Sequence, residues 1–390
     1  MEIDNSNKIT DAWQTICSFE HLLAAHKEAS KGKRYRHEVM TFSDRLEDNL
    51  FNIQRKMKDG TYRIGPYRKI WVYVPKKRLV MALPYPDRVV QWSIYMYINP
   101  IYDKLFIEDS YACRKNKGGE KAILRLQYWM KKVSRQPGEE WYTLKLDISK
   151  YFYRINHKIL LQILSKRIED PDLMKFIQKI VDGAAQPFGL PPGKSPQETP
   201  AEEWRNDVGI PIGNLTSQLF ANIYLNELDQ YCKHTLHCRY YIRYMDDVVI
   251  LGHKQELAKI KEKIETFLHE RLELDLNKKT SIKPVRQGVE FVGVRIWTTH
   301  MKIRKSTIRR KKRTVKGISR KYATGKLTKE ELIRRVASVN GSMKNVECES
   351  LRWRLNQIFI NELKKESGKE EQREPSANHR STGKCDGAAG

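Results

Sequence analysis

The chain has 390 residues and carries 73 Lys and Arg against 47 Asp and Glu, a formal net charge of +26. Hydrophobic residues make up 40% and aromatics 10%, enough apolar surface to exclude a wholly disordered chain. No stretch approaches ~18 uninterrupted apolar residues, which excludes an α-helical membrane span, and the positive balance points to a polyanion, nucleic acid ahead of an anionic membrane surface.

The opening residues Met1 to Asn5 lack the basic-then-apolar pattern of a secretion signal. The six scattered cysteines are expected as reduced thiols in a cytoplasm. Residues 1–60 read as a helical extension, with Trp13, Ile16, Leu22 and Leu23 near a 3.6-residue period and Ser43 as a helix cap. Residues 67–84 are rich in Val, Ile and aromatics between prolines and predict a strand pair. A helix is predicted over 87–107, a strand over 141–147, and one helix over 157–182. The proline-rich stretch 183–208 predicts a loop insertion.

Apolar spacing predicts an amphipathic helix over 215–233. Two strand halves about an acidic turn are predicted over 239–252, a charged helix over 254–272 and a single strand over 289–297. Residues 301–320 hold ten Lys or Arg and no acid; helices are predicted around 327–364, and a disordered tail over 365–390. Cys232, His234, His237 and Cys238 are too tightly spaced for a zinc finger or ribbon, and predict a polar helix end and turn.

Three aspartates carry the chemistry. Asp147 ends the strand "LKLD", and Asp246 and Asp247 form the acidic pair of "YMDD" between apolar strand residues. Adjacent carboxylates repel, and a third brought from a neighbouring strand adds to the repulsion unless divalent cations share the site. Two metal ions ~3.5–4 Å apart between carboxylates are what phosphoryl transfer to a 3′-hydroxyl needs.

"LDISKYF", "GIPIGNLTSQLFANIYLNELD" and "YMDD", in that order, resemble a reverse transcriptase over about 67–300, with a thumb to 364. The resemblance implies an α+β right-hand polymerase fold. It divides the chain into an N-terminal helical extension (1–60), fingers (61–140), a palm with an antiparallel sheet (141–300) and a basic helical thumb (301–364). It also implies RNA-directed DNA polymerase activity with two Mg²⁺ ions, or Mn²⁺ in their place. Asp147, the Ile148 carbonyl, Asp246 and Asp247 are then the metal ligands.

Further roles are implied by the same resemblance. Arg78, assisted by Lys76, would clamp the triphosphate, and the Lys150 and Tyr151 amides would meet it. Phe152 would reject a 2′-hydroxyl. Lys279 of "NKKT" would lie near the triphosphate as a general acid. Arg114 would contact template, and Phe291 and Gly293 would belong to a primer-gripping strand. Arg309, Arg310, Lys311, Lys312 and Arg313 would hold the duplex backbone without reading bases.

Ile212-Gly213 stands where retroviral and intron enzymes usually carry Gln-Gly, and Gln218 follows Ser217. This resembles reverse transcriptases of bacterial diversity-generating retroelements. That family copies a template-repeat RNA into cDNA with errors opposite adenine, from RNA template, primer and dNTPs. Its partner is a small accessory variability protein, a basic helical-bundle pentamer. A cytoplasmic, bacterial or phage-encoded chain without a membrane partner follows. The rival readings are a retron or phage-defence enzyme, and an idle RNA-binding scaffold of the maturase kind.

Overall fold

Apolar residues at helical spacing give the N-terminal segment four helices: α1 (Trp13–Ile16), α2 (Phe19–Ser30), α3 (His37–Asp44) and α4 (Leu46–Lys58). The computed structural model describes residues 8–73, 78–138, 140–183, 187–341 and 349–371. Ser18 caps α2 by accepting the His21 amide at 3.2 Å. Ser43, expected to cap, lies instead in the last turn of α3. Its hydroxyl donates back to the Val39 carbonyl at 2.8 Å, the competing bond open to a helical serine.

Strands β1 (Arg68–Val72) and β2 (Arg78–Ala82) form the expected antiparallel pair, with Val72 opposite Arg78. Lys76 lies outside the described residues. The helices α5 (Tyr85–Leu105) and α6 (Gly119–Val133) follow. After β3 (Tyr142–Asp147) come α7 (Tyr151–Arg154), α8 (His157–Ser165) and α9 (Pro171–Val181). The single helix expected over 157–182 is therefore broken. Asp170 caps α9 by accepting the Leu173 amide at 3.0 Å, Pro171 starts the new helix, and Asp170 also accepts the amides of Ala12 and Trp13.

Among its described residues the insertion runs as loop apart from a short turn at Ala201–Glu203. Helix α10 (Leu215–Gln230) ends in a π-helical turn, Tyr231–Thr235, where Cys232 is buried and His234 exposed. Then come β4 (Tyr240–Tyr244), β5 (Asp247–Gly252), α11 (Lys254–Leu272) and β6 (Ser281–Pro284). The strand expected over 289–297 is a tight hairpin, β7 (Val289–Phe291) and β8 (Val294–Ile296), because Val292 and Gly293 take φ of 47° and 80° and reverse the chain. Among the described residues no helix is long and apolar enough to cross a membrane.

The central sheet has the order β4-β5-β3-β6, all neighbours antiparallel. Its alternation sets charged residues on one face and core on the other. Leu144, Leu146, Tyr241, Val248 and Ile250 point into the apolar core shared with α10 and α11. Lys145 and Asp147 share the opposite face with Asp247, since Asp147 pairs directly with Asp247. This α+β arrangement is the right-hand polymerase fold.

The chain divides into two compact units at Thr299 and His300. The second holds β9 (Met301–Ile303), α12 (Lys305–Ala323), α13 (Lys329–Gly341) and α14 (Glu349–Glu371). Val315, Leu351 and Leu355 form its apolar centre. Helix α14 runs through residues 365–371, which the sequence assigns to a disordered tail. Lys and Glu are good helix formers, and the glycine at 368 weakens a helix without ending it.

Candidate active site

Asp147 closes β3, and its backbone is fixed on the β6 side. Its carbonyl accepts the Asn277 amide at 2.7 Å, and its own amide donates to the Thr280 hydroxyl at 3.2 Å. The Ser149 amide bonds to the Asp275 carbonyl at 2.8 Å. Ile148 sits between these bonds, opposite Leu276, in the pattern that turns a residue's own amide and carbonyl away from its partner. The Ile148 carbonyl is thus directed to the β5 side, where Asp246 lies.

Tyr244 pairs with Asp247, so Met245 and Asp246 alone form the turn between β4 and β5. Met245 has φ 57° and Asp246 has no positive φ, the geometry of a type II′ turn. Asp246 is half-buried. Burial, with the charge of Asp147 adding to it, raises its pKa, while Arg78 and Lys145 oppose the rise. Arg78, at the exposed start of β2, thus acts electrostatically on Asp246.

Asp247 is engaged elsewhere. It forms an ion pair with Lys145, and its Oδ2 accepts the Val292 amide at 3.2 Å. Lys145 also lies 5.5 Å from the Phe291 ring centroid. Among the described residues no group of three or more His, Cys, Asp or Glu converges as a metal cluster. The three aspartates share one end of the sheet, but Lys145 and the Val292 amide occupy Asp247. The donor set still fits a divalent cation. Asp147 and Asp246 are close enough for one charge to raise the other's pKa, a repulsion that a cation relieves.

The residues expected on the nucleotide side take up these positions. Lys150 takes a left-handed conformation, φ 48°, and turns the chain from Ile148 into α7. The Tyr151 ring is buried and its hydroxyl donates to the Ala221 carbonyl at 2.5 Å. Phe152 is half-buried beside Tyr151, and its carbonyl accepts the Ile210 amide. The Ile212 carbonyl accepts the Met81 amide at 3.0 Å, tying this loop to β2. Gly213 has φ 112°, and a Cβ there would meet Val80 at 2.7 Å, so only glycine allows the approach. Gln218 accepts from the Cys113 thiol at 3.3 Å, and with Val80, Trp92 and Gly213 it lines a cavity of about 280 Å³. Lys279 is exposed in a turn where its amide donates to Asn277 Oδ1.

Three of the side chains expected on nucleic acid, Arg114, Phe291 and Lys311, are turned into the protein. The Arg114 guanidinium is spent inside the protein, donating to Asp103 at 2.6 Å and to the carbonyls of Ile107, Ser110 and Asp103. It pins a loop rather than a template. Phe291 is fully buried under Lys145, with Gly293 at the hairpin tip beside it. In the second unit Lys311 is buried and donates to the Val339 carbonyl at 3.1 Å, covering a carbonyl near the α13 C-terminus. Arg309 and Arg313 are exposed on α12, and Arg310 and Lys312 are half-exposed.

Sequence reasoning passed over Lys145, Thr280 and Arg243. Lys145 had a signal, since it stands two residues before Asp147 and must share its face. So had Arg243, an arginine inside the otherwise apolar and aromatic "YYIRY".

The reverse transcriptase (RNA-dependent DNA polymerase) family matches residues 69–296. Protein YkfC of Escherichia coli is 28% identical over 294 residues, 65% of this chain and 72% of that protein. The group II intron-encoded protein LtrA of Lactococcus lactis is 24% identical over 346 residues, 70% of this chain. The chain spans about half, 53%, of LtrA. Among solved structures, telomerase from Candida albicans with a fragment of telomeric RNA is similar at a TM-score of 0.44 and 10% identity, over 77% of this chain and 59% of that one. With more than half its residues matched, the chain belongs to the reverse transcriptase family, the RNA-directed DNA polymerases.

Proposed function

We propose that the chain copies a template-repeat RNA into error-prone cDNA within a bacterial or phage diversity-generating retroelement, acting in the cytoplasm with a small accessory variability protein. The observation that carries the polymerase chemistry is the register that sets Asp147 opposite Asp247, with Asp246 in the adjoining turn under the influence of Arg78. When bound, two Mg²⁺ ions, or Mn²⁺, supply activation of the primer 3′-hydroxyl and neutralise the leaving pyrophosphate.

Asp147, Asp246 and the Ile148 carbonyl would hold those cations, with Asp247 a weaker third carboxylate. Arg78 grips the triphosphate through paired N–H donors. The Lys150 and Tyr151 amides add neutral donors to it. Phe152 stands against the sugar and excludes a 2′-hydroxyl. Lys279 delivers a proton to the departing pyrophosphate. Arg309, Arg310, Lys312 and Arg313 hold the duplex by its phosphates.

The retroelement reading is supported by Ile212-Gly213 and Gln218. The Ile212 carbonyl is bonded to β2, and its aliphatic side chain offers no amide to align a nascent base pair. Extension of a DNA primer on an RNA template tests both levels. Wild-type extension is expected and its absence under every primer condition favours the RNA-binding scaffold. Ile212→Gln is expected to lower errors opposite template adenine, and an unchanged error spectrum sinks that account. A second reading is favoured by the likeness to LtrA: an enzyme of the intron-encoded kind. Accurate copying opposite adenine by the wild-type chain would support it.

A further inference from the structure

Arg243 lies on the core face of β4, paired with Val248 and fully buried. A charged side chain there is costly unless compensated. Compensation comes from Asp229 of α10, which is also fully buried. Arg243 Nε donates to Asp229 Oδ1 at 2.7 Å and Nη2 to Oδ2 at 2.5 Å. The Tyr241 hydroxyl donates to Asp229 Oδ1 at 2.6 Å. Burial works against the charge on Arg243, but Asp229 outweighs it and holds the pKa above the ordinary arginine value.

The far end of the guanidinium does something else. Nη1 donates to Asn222 Oδ1 at 3.1 Å and to the Met245 carbonyl at 3.2 Å. Asn222 is held in turn by its own bond to the Ala112 carbonyl at 2.7 Å. Met245 is the first residue of a type II′ turn, where glycine is favoured, and it carries a side chain at φ 57°. A non-glycine residue in that region is strained by about 1–2 kcal/mol and persists only where its surroundings hold it.

We infer that Arg243 is a positioning residue for the catalytic turn: anchored by Asp229 and steered by Asn222, it holds the Met245 carbonyl and so fixes where Asp246 points. This rests on the assignment of Asp246 to catalysis. Arg243 touches neither substrate nor carboxylate of the site; it acts through the backbone of the turn. A group misplaced by about 1 Å can cost on the order of 100-fold in rate.

The test uses the full chain in steady-state primer extension, with thermal melting alongside. Arg243→Lys retains a positive charge for Asp229, yet a single ammonium lacks the fork that reaches Met245 at the same time. Its kcat is expected to fall about 100-fold with the dNTP KM unchanged. Adding Met245→Gly, which removes the need to enforce a positive φ, is expected to restore at least about tenfold of that loss. Wild-type kcat in Arg243→Lys overturns the inference, as does a loss that Met245→Gly leaves untouched. If Arg243→Lys does not fold, Asn222→Ala carries the test. It leaves the ion pair intact and frees the guanidinium end, so the same kcat-selective loss is expected and an unchanged kcat overturns the inference. An inactive wild-type chain would instead overturn the polymerase reading.

Discussion

Two hairpin turns meet beside the carboxylates, and they solve the same problem differently. The β7–β8 turn has both central residues at positive φ, a type I′ turn, and puts Gly293 at one of them. Its other residue, Val292, is β-branched and ill-suited to φ 47°, but its side chain fits against Gly119, where a Cβ would come within 2.9 Å of it. The β4–β5 turn has no glycine at all. Its strained Met245 is held from beneath by Arg243, and its second residue is the acid Asp246. The first turn is stabilised by residue choice and packing; the second is held by a buried polar network. Strain tolerated by local fit belongs to the β7–β8 hairpin, and strain enforced from the core belongs to the hairpin that carries Asp246.

Three substitutions break or sharpen this contrast. Asp246→Ala should have the largest effect, a fall in primer extension of about 1,000-fold or more, since cation-held charge is worth several kcal/mol in the transition state. Folding should be little changed, because the residue sits in a turn; a melting temperature near wild type with lost activity is the expected pair of results. Lys145→Met should act across both turns. It removes the cation paired with Asp247 and stacked on Phe291, leaving a part-buried carboxylate uncompensated at a cost of about 1–3 kcal/mol. Denaturant melts should show the loss, and equal stability would mean that Asp247 finds solvent instead. Gly293→Ala should be smallest. Its Cβ would meet open space, so only the positive φ is penalised, about 1–2 kcal/mol, or a melting temperature lower by a few degrees. Activity should survive, because the Val292 amide still reaches Asp247.

Much of this is legible in the sequence. Asp147, Asp246 and Asp247 stood out because acids at strand ends and turns within apolar runs are read from short windows, and strand alternation then puts Asp147 and Asp247 on one face. The helices over 215–233 and 254–272 were legible for the same reason: their periodicity is local. Arg114 and Lys311 were not. A long basic side chain can reach solvent or fold back on carbonyls, and which it does depends on Asp103 or Val339, eleven and twenty-eight residues away. The hairpin at Val292 was hidden because a valine at positive φ contradicts its own propensity, and the compensating Gly119 lies far off in sequence. Arg243 needed its partner Asp229 on another element to be seen as a support.

The basic side chains committed to the interior bear on how the protein should meet RNA. Arg114, Arg243 and Lys311 count towards +26, yet their donors already face protein oxygens. Each phosphate neutralised by a surface cation frees condensed counterions, lowering log affinity with log salt by about 0.7 per contact on a single strand. Residues turned inward release none. The ionic-strength dependence of template binding should therefore be shallower than the formal charge suggests, and should reflect side chains such as Arg309 and Arg313 that remain at the surface.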